Sequence, residues 1–252
     1  MHELRFASDP PPSTDSSSLP RNAAELSTGR NIYQQADGTW PNIFISDEFA
    51  VSAAPINHSV PCVGYVVQEQ PVPGKINPSL YIPRLKQTGT PMSVLRQLQQ
   101  GESVTLSDGT VLEGPERRPG RKLVILGDTH DPSPIASLAA DADILIHEAT
   151  NAHLPEIDPN TKATDTYQSV QERTMSRGHS TPQMAGAFAK RIGARKLVLN
   201  HFSARYAGND DVDEDARRTM EAIRRLAQCE FGAGKEVVCG RDLMVLDVEP
   251  RK

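Results

Sequence analysis

The stretch 141–150, DADILIHEAT, runs an apolar segment, Ile144-Leu145-Ile146, straight into two ionisable groups, His147 and Glu148. A short apolar run bounded by polar residues reads as a strand buried on both faces. Two other stretches share this grammar: LVILGDT (123–129) ends at Asp128, and LVLNHFS (197–203) ends at His201. Helical patterns stand between them. SPIASLAADA (133–142) has the spacing of a short amphipathic helix with Ser133 as candidate N-cap. STPQMAGAFAKRIG (180–193) has Ser180 or Thr181 to cap it, Pro182 for its first position and Gly193 to stop it. Apolar runs alternating with helices over 122–201 indicate an α/β layered domain with a substantially parallel sheet.

Outward from this centre, FAVSAAPINHS reads as a strand ending near His58, and CVGYVVQE (62–69) as a second strand. Residues 71–120 form an arm-like insertion. It holds a short helix, SVLRQLQQG, stopped by Gly101, and a hairpin, SVTLSDGTVL, turning at Asp108-Gly109. A polar loop is expected at 151–178, a helix over DEDARRTMEAIRRLA, and closing strands over EVVCGRDLMVLDV. Residues 1–44 read as a partial N-terminal segment whose Ser- and Pro-rich stretch 8–30 is a mobile loop, and 45–252 as the main portion.

The 252 residues carry a net charge of −5, which argues against a strongly basic nucleic-acid binder but leaves room for a local basic patch. Cys62, Cys229 and Cys239 form no CxxC pair and fit reduced thiols in an intracellular protein. No apolar run reaches the roughly 20 residues of a membrane span, and the N-terminus lacks a secretory pattern.

In α/β sheets the carboxyl ends of the strands form the ligand-binding edge. Asp128, His147, Glu148 and His201 should therefore converge on one rim. His179, just before the capped helix, should lie near it, and His58 ends a further strand. Carboxylate and imidazole together suit Zn²⁺ or Mn²⁺ and can move protons. Each also has an ordinary structural reading: a turn aspartate, a buried histidine, a carboxylate partner.

Taken in order, INHSVPCVGY, GDT, HEAT, GHST and HFSARY resemble the ribonuclease Z family, zinc-dependent tRNA 3′-processing endonucleases of the metallo-β-lactamase fold. The resemblance implies the C-terminal half of an αββα sandwich with an inserted arm. It implies that His58 matches a ligand of a first zinc, Asp128 the carboxylate bridging two zinc ions, and His201 a ligand of the second. His179 matches the histidine that protonates the leaving oxygen, Glu148 the carboxylate that orients it, and His147 is structural. Arg205 matches either a phosphate contact or a structural salt bridge. The implied partners are precursor tRNA and either a second copy or a complementing N-terminal half, with no membrane. The resemblance does not separate cytoplasm, nucleus and mitochondrion.

Two departures stand out. The family's His-x-His-x-Asp-His motif is absent, since no two of the seven histidines lie within three residues of each other. The site is thus partial, short of the two zinc ions of a complete one, and a non-catalytic RNA-binding or dimerising half-domain is the alternative reading. In the arm, Met92-Ser93 stands where the family has a Gly-Pro tip. A half-sandwich should also leave one sheet face unpaired and prone to association.

Overall fold

The computed structural model describes residues 3–9, 31–206 and 210–250. Most of the expected mobile stretch 8–30 lies outside the described residues. The chain divides into two compact units, one built from residues up to Gln68 and from 122 to 248, the other from 69–121 with the last few residues.

The larger unit is organised around a seven-stranded mixed sheet. Its strands are β3 (Trp40–Ile45), β4 (Phe49–Ile56), β5 (Cys62–Glu69), β8 (Lys122–Leu126), β9 (Ile144–Glu148), β10 (Lys196–Asn200) and β11 (Glu236–Cys239). Their spatial order is β11-β10-β9-β8-β5-β4-β3. The four strands β8 to β11 run parallel, β5 is antiparallel to β8, and β3 is antiparallel to β4. A separate parallel pair joins β1 (Glu3–Arg5) to β2 (Asn31–Tyr33). The buried Trp40 indole N–H donates to the Arg5 carbonyl at 3.0 Å.

The three deciding apolar runs become neighbouring parallel strands, with Val124 opposite Leu145 and Leu145 opposite Leu197. That row, extended by Val66 and Val237, faces helices α5 (Pro182–Arg191) and α6 (Glu214–Phe231). Ala185, Phe188, Ile223 and Ala227 complete the core on this side. The two helices approach so closely that a Cβ on Gly186 would lie 2.2 Å from the Ala227 carbonyl oxygen, so only glycine fits. Both helices are capped as their sequences indicate: Thr181 accepts from the Met184 amide and Asp213 from the Ala216 amide at 2.7 Å.

Three local expectations are corrected. Residues 133–142 do not form one helix capped by Ser133. A 3-10 turn (Ser133–Ile135) runs into a single helical turn, α3 (Ala136–Ala139), and the Ser133 amide itself donates to Asp131 Oδ1 at 3.0 Å. Prolines at 132 and 134 restrict the backbone there, and the carboxylate that accepts from this turn, Asp131, stands two residues before Ser133. The polar stretch 151–178 is not all loop: it contains α4 (Tyr167–Met175), started by a reciprocal cap between Thr166 and Ser169. At the C-terminus the strand stops at Cys239, and residues 240–248 are not strand, with Leu243 and Val245 exposed.

The smaller unit holds α1 (Pro78–Gln87), α2 (Val94–Gln99) and a hairpin of β6 (Val104–Thr105) and β7 (Val111–Leu112). Gly109 turns the hairpin at φ +84°. Leu85, Leu98 and Leu106 are buried. Arg84 joins helix to hairpin through an ion pair of 2.6 Å with Asp108.

The opposite face of the large sheet carries a second apolar row, Tyr65, Ile125, Ile146, Val198 and Val238 in register. Tyr65 is 38 % and Ile125 39 % exposed, and Phe44 on β3 is 50 % exposed. Apolar surface gathered on one face drives association. The purified chain is expected to be oligomeric or aggregation-prone in light scattering, and Ile125→Lys to shift it toward monomer. A monodisperse monomer with sharp cooperative melting would contradict this.

His147 sits inside the core, 0 % exposed, with its ring 6.0 Å from Phe188, and burial pushes its imidazole below the usual range. Below about pH 6.5 the unfolded chain takes up a proton that the folded chain refuses, so stability falls as pH drops. Urea unfolding between about pH 7 and pH 5 should show a loss of up to about 1.4 kcal/mol per pH unit from this group, and His147→Asn should flatten the slope.

Candidate metal centre

Parallel strands that are neighbours end side by side, so β8, β9 and β10 deliver Asp128, Glu148 and His201 to one rim. The loops beyond them are tied together by their own backbones. The Ala149 amide donates to the Asn200 carbonyl at 2.9 Å, the Thr150 amide to Ser180 at 3.0 Å, and the Ser203 amide to Thr150 at 3.0 Å. Thr129 is buried and its hydroxyl donates to the Asn57 carbonyl at 2.9 Å, which places the end of β4 beside the end of β8.

Glu148 is the hub of this rim. It is 1 % exposed and accepts from the Thr129 amide at 2.7 Å, the Ser180 amide at 3.1 Å, the Thr150 hydroxyl and the His179 ring at 3.1 Å. Four donors fill the acceptor capacity of one carboxylate. Since a carboxylate can only accept, the His179 nitrogen facing it, Nδ1, carries a proton, and Nε2 is the atom left to act on anything outside.

The histidines form a row. The rings of His58 and His179 lie 5.1 Å apart and those of His179 and His201 are stacked at 5.3 Å. His58 donates from Nδ1 to the Gly178 carbonyl at 2.8 Å, while its Nε2 faces the Ser59 hydroxyl at 3.3 Å. Gly178 has φ +87°, and a Cβ there would lie 2.3 Å from His58 Nδ1, so this glycine gives the His58 ring its room. His201 also has a left-handed backbone, φ 52°, uncommon for a residue with a side chain and frequent at functional sites.

Asp128, His179 and His201 each present one ligand atom, and these atoms all lie within 4.8 Å of one another. Within this group, His201 Nε2 is 3.5 Å from Asp128 Oδ2. Two ligands at about 2.1 Å from a tetrahedral zinc stand roughly 3.4 Å apart, so this edge already has the separation that zinc requires. One carboxylate and two imidazoles are also a donor set suited to zinc. His58 lies outside that group, its ring 5.1 Å from that of His179.

The remaining residues singled out in the sequence are placed as follows. His147 offers no ligand: it is buried, its Nδ1 donates to the Glu148 carbonyl at 2.7 Å, and its Nε2 faces no polar partner. Arg205 is committed to a salt bridge, 3.0 Å from the buried Asp158, and its guanidinium stacks 4.9 Å above the Tyr206 ring. Cys62 is half-buried and Cys239 more deeply so, burial pushing the latter thiol up to about 12; neither touches the rim histidines through any described contact. Thr129 and Thr150, which complete the hub, carry no signal of their own beyond standing inside GDT and HEAT, and Ser180, a candidate cap in the sequence, leaves that role to Thr181 and gives its amide to Glu148.

No protein-family model matches the chain. Among curated proteins, it is 33 % identical over 205 residues to ribonuclease BN of Cronobacter sakazakii, covering 79 % of this chain and 57 % of that one. It is 37 % identical over 196 residues to ribonuclease Z of Brevibacillus brevis, covering 76 % and 54 %. It is 34 % identical over 214 residues to ribonuclease Z of Prochlorococcus marinus, covering 83 % and 58 %. Human tRNase Z, short form, is a similar solved structure at 23 % identity and TM-score 0.49, over 98 % of this chain and 56 % of that one. The chain therefore spans somewhat more than half the length of these relatives, and over the 196 to 214 residues matched it belongs to the ribonuclease Z family.

Proposed function

We propose that this chain supplies the C-terminal part of a zinc-dependent endoribonuclease that removes the 3′ trailer from precursor tRNA. The observation that carries the reading is the Asp128–His201 edge of 3.5 Å standing beside the His179–Glu148 pair of 3.1 Å: a metal-holding pair next to an oriented proton donor. The name of the curated relatives, ribonuclease Z, supports an RNA substrate.

In this reading Asp128 and His201 hold zinc, with His58 as a further ligand once its Nε2 gives up the Ser59 hydroxyl. Bound there, zinc would supply Lewis-acid polarisation of the scissile phosphate and a lowered pKa for an attacking water. Glu148 holds the His179 ring aimed, and a proton on His179 Nε2 would pass to the departing 3′ oxygen. A catalytic zinc takes about three protein ligands, and two zinc ions take more than Asp128, His58 and His201 can offer. The missing ligands would come from a complementing N-terminal half. Assembly with that half or with a second copy is the partnership the exposed sheet face fits.

In the smaller unit, Lys75, Lys86 and Arg96 show no ion-pair partner among the described residues, whereas Arg84 is held by Asp108. We assign the first three to the RNA backbone, with the arm acting without a Gly-Pro tip.

Two experiments test this. Zinc binding by the 252-residue chain should be lost in Asp128→Ala and His201→Ala. His179→Ala should instead keep zinc affinity within a few-fold and lower precursor tRNA cleavage, assayed with the N-terminal segment of a family member supplied, by about 10²–10⁴. If His179→Ala loses zinc as His201→Ala does, His179 is a ligand and not the acid; two tightly held zinc ions in this chain alone would refute the partial site. Precursor tRNA bound without cleavage in the supplemented assay would favour the non-catalytic reading. Neutralising Lys75, Lys86 and Arg96 together should weaken tRNA binding and reduce its salt slope by about 2–3.

A further inference from the structure

We propose that Thr150 is a positioning residue that holds the His201 ring with its Nε2 lone pair turned to Asp128. It thereby ties the His201 ring to the Glu148–His179 pair through one hydroxyl. The inference rests on the zinc reading above for its purpose, though not for its geometry.

The Thr150 hydroxyl has three neighbours: Glu148 Oε2, His201 Nδ1 at 3.0 Å and the His201 carbonyl oxygen at 2.9 Å. A hydroxyl has one proton to give and two lone pairs to offer. Glu148 is 1 % exposed, so a proton turned away from it would leave two oxygens face to face in a dry site. The contact with the His201 carbonyl lies at an exposed residue, where water can take the place of the hydroxyl. The proton therefore goes to Glu148, and the lone pair of the same hydroxyl accepts the Nδ1 proton of His201.

The neutral His201 ring then has no proton on Nε2, the atom 3.5 Å from Asp128 Oδ2. The opposite tautomer would put a proton on Nε2 and donate across that long contact. It would also draw the Thr150 proton to Nδ1 and away from the buried carboxylate. One long hydrogen bond does not offset that loss. Backbone geometry supports the same role independently. His201 holds a left-handed φ of 52°, and the segment gripping it is the one carrying Thr150, through the Ala149 amide on Asn200 and the Ser203 amide on Thr150. A metal-bound imidazole whose other nitrogen is anchored in this way binds more tightly, and loss of the anchor commonly costs 10–100-fold in affinity.

The test uses the full 252-residue chain, metal-free, at about pH 8, where imidazole is neutral. Long-range ¹⁵N–¹H correlation reads the His201 tautomer, and competition against a chromophoric chelator reads Zn²⁺ affinity. The wild type should carry the His201 proton on Nδ1. Thr150→Val, of the same shape, should lose that single tautomer and weaken Zn²⁺ by about 10–100-fold, and Thr150→Ser should restore both to within about threefold. The proposal is overturned if His201 carries its proton on Nε2, if Thr150→Val leaves tautomer and affinity unchanged, or if Thr150→Ser fails as badly as Thr150→Val. Should the wild type bind no Zn²⁺ while the tautomer still follows Thr150 as described, the zinc reading fails and the positioning role stands.

Discussion

A buried carboxylate is the constraint on which the rest of this site depends. Glu148 is taken almost wholly out of water, which is costly for a charge unless donors replace the water. The four donors come from the loop after β8, the loop after β9 and the segment leading into α5. Hydrogen bonds to a charged group contribute about 1.5–3 kcal/mol each, and leaving any one donor unmet costs a similar amount. The loops are therefore not free to move separately. Whatever displaces Glu148 displaces Asp128, Thr150 and His179 with it, and a rim of loops becomes as rigid as the sheet beneath it.

That coupling explains why a strand should end in two ionisable residues. Alternation along β9 sends His147 to the helix-covered face, where it packs near Phe188 as a neutral group, while Glu148 reaches the rim. The Asn200–Glu148 register sets β10 so that His201 is the next residue out. The left-handed turn at His201 then brings its ring back over Thr150 and beside Asp128.

Much of this was legible in the sequence because it follows from strand ends. Three apolar runs separated by helices give parallel neighbours, and parallel neighbours put Asp128, Glu148 and His201 on one edge. The motif order around His58 and His179 supplied the rest of the cluster. What stayed hidden depended on interactions among several residues. α4 buries only Val170 and Thr174 and begins with Thr166 and Ser169 instead of the usual acidic capping partner, so neither apolar periodicity nor a familiar cap announced it. The pairing of β1 with β2 joins two three-residue strands far apart in the chain, below any local pattern. Thr150 was unremarked because a threonine after a strand has no meaning until the carboxylate and imidazole on either side of its hydroxyl are known. At the C-terminus, the alternation in DLMVLDV reads as a strand, yet the segment turns after Cys239 and leaves Leu243 and Val245 in solvent, where alternation has no face to bury.

Exposure separates the two halves of the site. The groups that position are finished within this chain: Thr129, Ser180 and Thr181 are fully buried and Glu148 nearly so. The groups proposed to hold metal are not enclosed, since Asp128 is 37 % and His201 48 % exposed. Fixed dipoles and charges act strongly on a reacting phosphate only where water is kept out. A buried carboxylate hub beside proposed ligands that stay half in solvent is what one wall of a site would look like. On the proposed reading, the opposite wall must bring the remaining ligands and exclude water in the same step. Full metal occupancy, closure and catalysis would then be gained together on assembly, the chain alone holding zinc through a partial ligand set, which is the behaviour expected of a binding site shared between two segments of chain.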